Sequence, residues 1–185
     1  ALLWGVPFLV EANGKAPAFA SAMLTLFVFT NAALGPVVGL LTARFQGHRH
    51  VIVFASGGLI LAAWAVALLL PSPLPDFVVV ILVVILGTGG PVSMIAFDYS
   101  RAYVSNKELG SANGFINIGG FLAALLMIGA IGIALDAQRA VYPDAALYDA
   151  VHFKFALSVQ FLVIGFGLWR FSAANRKLLR GELVA

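Results

Sequence analysis

The sequence predicts an all-α polytopic membrane protein built as a six-helix transmembrane bundle, and three observations predict it. Five charge-free apolar stretches fill most of the chain, at 17–42, 51–70, 77–97, 112–135 and 155–169, with a shorter one at 2–10. At about 1.5 Å of rise per residue, about 20 residues cross a ~30 Å hydrocarbon core. All but 2–10 and 155–169 reach that length. The composition agrees. Hydrophobic residues make up 62% of the 185 and charged residues only 10%, where a soluble domain carries roughly 25%. So little charge cannot face water all round, and the stretches lack the polar stripe of a soluble helix. Finally, the charges that exist gather between the stretches.

Six spans follow, named A to F: about 1–12, 17–42, 51–70, 76–99, 111–135 and 152–170. Span A opens inside an apolar run at Ala1, Leu2, Leu3 and Trp4, without an initiator Met, a basic n-region or a small-residue cleavage site. That pattern is not a signal peptide. It reads as the tail of a span in a fragment whose N-terminal part is missing. Span B carries Gly35, Pro36 and Gly39. Between C and D, Pro71, Pro73 and Pro75 make a stiff turn, because proline cannot continue a helix; Asp76 is then placed to N-cap D. The E–F loop is the longest, and Pro143 with Asp144 signals the start of a short surface helix there. No soluble domain, linker or low-complexity tract interrupts residues 1–185, which read as one transmembrane bundle.

Charge sets the expected topology. The B–C loop, the D–E loop and the tail after F hold eight of the eleven Lys and Arg residues. An even number of spans separates these segments, so they share a side. Lys15, Arg139 and Lys154 fall on the other side, among Glu11, Asp76, Asp136, Asp144 and Asp149. Positive charge marks the cytoplasmic face. The C-terminus is therefore expected in the cytoplasm, in a multi-pass plasma (cell inner) membrane protein whose first partner is the lipid bilayer. The net charge of +3 is a topology signal and gives no reason to expect a nucleic-acid partner. The absence of cysteine excludes disulfides and thiolate metal sites; neither a metal nor a cofactor is expected.

Two features inside the spans carry functional meaning. Gly87, Gly89, Gly90 and Pro91 fall within five residues near the middle of D. Glycine lets helices approach closely, and proline frees a carbonyl and bends the helix, which is tolerable only beside protein or water. The cluster is expected to be a hinge or a cavity-lining break. Polar residues at membrane depth are the second feature: Thr30 and Asn31 in B, Thr88 and Ser93 in D, Asn113 and Asn117 on one face of E, and Ser158 and Gln160 in F. Such groups face a bundle interior or a wet cavity rather than lipid. Trp4, Asn31, Thr88, Ser93 and Asn117 are the candidate lining of a solute path. Asp98 comes nearest to a buried charge, and Arg101 shares its helix face at i,i+3. With Arg44 and Arg49 they form a candidate cytoplasmic gate.

The order of these features resembles the C-terminal half of a major facilitator superfamily transporter, over the whole chain. Gly39 through Arg49, read as GLLTARFQGHR, resembles the degenerate eighth-to-ninth-helix copy of the family's G-x-x-x-D-[RK]-x-G-[RK]-[RK] loop. Gly89, Gly90 and Pro91 through Asp98 and Arg101, on to Gly110 through Asn117, resembles the tenth helix, its loop and the start of the eleventh. Leu3, Trp4, Gly5, Val6, Pro7, Phe8 and Leu9 resemble the seventh. One departure stands out. Ala43 occupies the place of the family's acid, and Gln46 is inserted before Gly47, so the loop lacks the latch acid while Arg44 and Arg49 remain.

The resemblance implies two six-helix bundles with a substrate site between them near mid-membrane, worked by rocking one bundle on the other. Spans A, B, D and E would line the cavity, and C and F would face lipid. The expected activity is secondary active transport of a small solute, not an enzymatic reaction. The unnamed solute and the chain's own N-terminal bundle are the implied partners, and a coupling proton would be carried in that other half, since no ionisable residue sits at a span centre here. Two rivals remain. A sensor or assembly protein of the same fold would bind without flux. An intramembrane hydrolase would need a nucleophile and base at membrane depth, whereas His48, His50 and His152 lie at span ends and no G-x-S-x-G occurs. A channel would need a charged ring or a filter-like loop, and neither is visible.

Overall fold

Long apolar runs joined by short polar turns leave the backbone no partner in lipid but itself, so each run closes its own hydrogen bonds as a helix. The computed structural model describes residues 2–142 and 149–180. Its elements are α1 (Leu2–Val10), α2 (Pro17–Arg44), a 3-10 turn (Gln46–His48), α3 (Arg49–Leu69), α4 (Asp76–Gly87), α5 (Gly89–Ser93), α6 (Ile95–Tyr103), α7 (Leu109–Val141) and α8 (Ala150–Leu179), with no strand among the described residues. The surface helix expected at Pro143 and Asp144 lies outside them.

Five helical runs are long and apolar enough to cross a membrane: α2, α3 with its leading turn, the interrupted run α4–α6, α7 and α8. The nine residues of α1 reach about 13 Å, too short to cross alone. Helix α2 packs on α1, α4 and α5, while α3 packs on α4, α5 and α8, and α7 packs on α8 and α6. One side of α2 is left uncovered, and α7 is exposed all round over residues 117–126.

The core is concentrated toward one end. The rings of Phe8, Trp64 and Phe153 meet there at 5.8–6.0 Å, joining α1, α3 and α8, with Leu74, Val79, Ile131 and Leu135 buried around them. Polar ties close the loops at this end. Buried Asn13 donates to the Phe8 carbonyl at 2.8 Å and accepts from the Leu74 N–H at 3.0 Å. Gly14 takes a φ of 60°, the left-handed turn that only glycine adopts without cost, and Lys15 N–H then reaches the Leu9 carbonyl at 2.9 Å. Lys154 donates to the carbonyl of Leu70 at the C-terminal end of α3. Asp76 does not cap α4: it is the first helical residue after Pro75, and its carboxylate pairs with Lys15. The N-cap appears instead on α8, where Asp149 accepts from the Val151 N–H at 3.1 Å.

Candidate functional site

The opposite end, which carries Arg44, Arg49 and Arg101, is loosely filled. Among the described residues around it, Thr42, Pro91, Ile95 and Ser100 are buried. A cavity of ≈ 740 Å³ lies between the end of α2, the 3-10 turn and α5–α6. Beside it a second, apolar hollow of ≈ 550 Å³ opens between α6, α7 and α8.

The interruption of the fourth span sits next to the larger cavity. The helix stops at Gly87, resumes for the five residues of α5 and stops again at Met94. At each break the bonding tightens from i,i+4 to i,i+3: Thr88 N–H reaches the Ile85 carbonyl at 3.0 Å, and Met94 N–H reaches Pro91 at 3.2 Å. Pro91 has no N–H, so the i,i+4 bond to the Gly87 carbonyl cannot form. The glycines have a further use, as the places where α2 comes closest. A Cβ added to Gly87 would stand 2.8 Å from the Cβ and Cγ2 of Thr30, and one added to Gly90 would stand 2.1 Å from Asn31 Nδ2. Gly89 is less crowded, with Ile60 at 3.5 Å.

The five candidate path residues are scattered. Trp4 Nε1 donates to the Ile128 carbonyl of α7 at 3.2 Å. Asn31 lies against Gly90. Thr88 shares a 3.0 Å hydroxyl hydrogen bond with Ser56 of α3 and donates to Ile85 at 2.8 Å. Ser93 is exposed and bonds back to the Gly90 carbonyl at 2.6 Å. Asn117 is exposed on α7, whereas its helix-mate Asn113 accepts from the Ser100 hydroxyl at 2.7 Å, tying α6 to α7. Of the set, only Asn31 reaches the broken helix from another span, and Ser93 and Asn117 are both exposed.

Three of the four candidate gate residues converge. Arg49, Asp98 and Arg101 line the ≈ 740 Å³ cavity with Thr42 and Gln46. The Asp98 carboxylate lies 3.6 Å from Arg101 Nη1, and Arg49 Nη1 donates to the Asp98 backbone carbonyl at 3.4 Å. Arg44 stands apart, exposed, with its guanidinium 6.0 Å from the ring centre of Phe45. Among the described residues no group of three or more His, Asp or Glu could hold a metal ion. Ser56 was not singled out from sequence, although its place beside Gly57 and Gly58 in an apolar run marks a close-packed face. Asn13 was also missed, and the Asn13-Gly14 pair is itself a turn signal.

Comparison with protein-family models, with curated proteins and with solved structures returned no match.

Proposed function

We propose that this chain is the C-terminal six-helix half of a major facilitator superfamily transporter, with α1 the tail of its first span. In this reading it moves a small solute across the plasma membrane by alternating access, with its C-terminus in the cytoplasm. The observation that carries the proposal is the uncovered stretch of α7 over residues 117–126. Asn117 is exposed there, with Gly114 and Gly120, three residues before and after it, on the same helix face, and nothing lies within 4 Å of a Cβ added to either. A carboxamide at membrane depth is unfavourable against lipid, and glycines admit another helix closely. Both features ask for protein or a wet path on that side. Gly35 and Gly39 leave the same open space on α2. The second bundle of the same transporter would cover these faces and enclose the path between them.

The chain has no cysteine, so single cysteines report cleanly. Asn117→Cys in the membrane-embedded protein should react with a membrane-impermeant maleimide far faster than Leu162→Cys, whose parent side chain is exposed on α8. Equal, negligible labelling of both would put Asn117 against lipid or sealed protein and end the solute-path reading. Reactive Asn117→Cys with no solute flux in proteoliposomes would favour a sensor of this fold instead.

A further inference from the structure

We propose that the cavity at the basic end binds a phosphate group, carried either by free phosphate or by the headgroup of an anionic lipid. The argument begins with charge. Three charged side chains line the cavity. Asp98 and Arg101 face each other at 3.6 Å and offset one another. Arg49 is left over. Among the described residues no carboxylate lies within 4.0 Å of it.

Its hydrogen bonding is equally incomplete. Nη1 makes one long bond, to the Asp98 carbonyl. Nε is shut off from solvent and has no partner. A buried donor left unpaired is costly, more so on a charged group. The unused edge, Nε with Nη2, is the edge with which arginine takes an oxyanion through two parallel N–H···O bonds. An oxyanion entering the ≈ 740 Å³ cavity that Arg49 lines would supply the missing counter-charge, and a turn of the side chain that brings the Nε–Nη2 edge, now closed to solvent, toward the cavity would satisfy Nε as well, with Gln46 and Thr42 on the same wall.

Phosphate is the anion that fits the location. The cavity is at the ends of α2 and α6, the end of the bundle where the last turn of α8 carries Arg176 and Lys177. Basic pockets between helices at this depth meet lipid phosphates as well as soluble ones. The inference concerns binding and does not require transport: bound phosphate without flux would leave it standing while the transporter reading fell.

The test uses the purified full-length protein. Inorganic phosphate, titrated against chloride at constant ionic strength, should raise the thermal midpoint saturably, or native mass spectrometry should show phosphatidylglycerol retained in preference to phosphatidylcholine. A response to phosphate alone assigns the soluble source, and one to phosphatidylglycerol alone assigns the headgroup. Arg49→Gln should weaken whichever response is seen by about tenfold or more, the usual scale for losing a charge-assisted bond. Asp98→Asn should tighten it, because it removes the opposing acid, and misfolding cannot mimic a gain. No response to either probe, an unchanged response in Arg49→Gln, or no gain in Asp98→Asn would each overturn the proposal.

Discussion

Alanine at Gly87 and at Gly90 should have different costs, and the difference follows from what each new methyl meets. At Gly87 the methyl would stand 2.8 Å from Thr30 Cβ, with the Phe27 carbonyl at 3.4 Å. A Cβ cannot rotate away, so α2 itself must retreat. At Gly90 the collision is with the Asn31 amide, at 2.1 Å, and that group turns about its own χ angles. Overpacking costs about 1–3 kcal/mol, and more where the backbone must move. Glycine-to-alanine in a helix recovers up to about 1 kcal/mol of propensity. Gly87→Ala is therefore expected to lose about 2 kcal/mol net, and Gly90→Ala clearly less. In a chain of this size each kcal/mol moves the thermal midpoint by roughly 2–4 °C.

The assay is tryptophan-fluorescence melting in a neutral detergent, with Gly165→Ala on α8 as the control, since nothing lies within 4 Å of a Cβ built there. Asn31→Ala should restore Gly90→Ala, because it removes the atoms in the way. Thr30→Ser should restore Gly87→Ala only in part, because the Thr30 Cβ contact persists. If Gly87→Ala melted at or above the wild-type temperature, the close approach of α2 to the broken helix would be wrong. Full rescue of Gly87→Ala by Thr30→Ser would refute the distinction between an immovable and a movable neighbour.

Two other substitutions probe the two ends of the bundle. Asn13→Ala strands the buried Leu74 N–H and the Phe8 carbonyl together, and should cost roughly 2–4 kcal/mol; a melting temperature equal to wild type would remove Asn13 as the tie between the loops. Asp98→Asn releases Arg101 from an ion pair in which the arginine side chain is 67% exposed. The stability change should stay below about 1 kcal/mol while solute flux in proteoliposomes falls; normal flux at normal expression would sink the gate role.

The helical runs were legible because lipid enforces a single solution on an apolar segment of sufficient length, and five of them appear where the charge-free stretches predicted. The break in the run α4–α6 was legible for the same local reason, three glycines and a proline in five residues. Side-chain destinations were less so. Thr88 has the composition of a path-lining residue, yet its hydroxyl is taken up by Ser56 of α3, and no period or spacing tells a hydroxyl which neighbouring helix will lie against it. Asp76 fits the residue preference of an N-cap, but a lysine 61 positions away in sequence claims the carboxylate, a long-range contact that local preference cannot anticipate. Asp98 and Arg101 were readable as a pair because their spacing alone puts them on one helix face.

Glycine carries the sharpest contrast between the two faces of the molecule. Gly57, Gly87 and Gly90 each have a neighbouring side chain so near that an added methyl would collide with it, whereas Gly114, Gly119 and Gly120 have none within 4 Å. The sequence presents both sets alike, as small residues in an apolar helix. In the first set the absent side chain is explained by Leu168, Thr30 and Asn31. In the second it is unexplained within the described residues, although glycine in the middle of a helix is disfavoured by about 1 kcal/mol against alanine. That unmet cost, repeated at Gly114 and Gly120 on the Asn117 face, is most economically offset by a helix from outside these residues lying against α7. The same helix would seal the Asn117 amide from lipid. An alanine at Gly120, on the Asn117 face and with nothing within 4 Å of its added Cβ, therefore discriminates: a lower melting temperature in the full-length protein means that a partner helix is there, and a higher one means that α7 faces lipid.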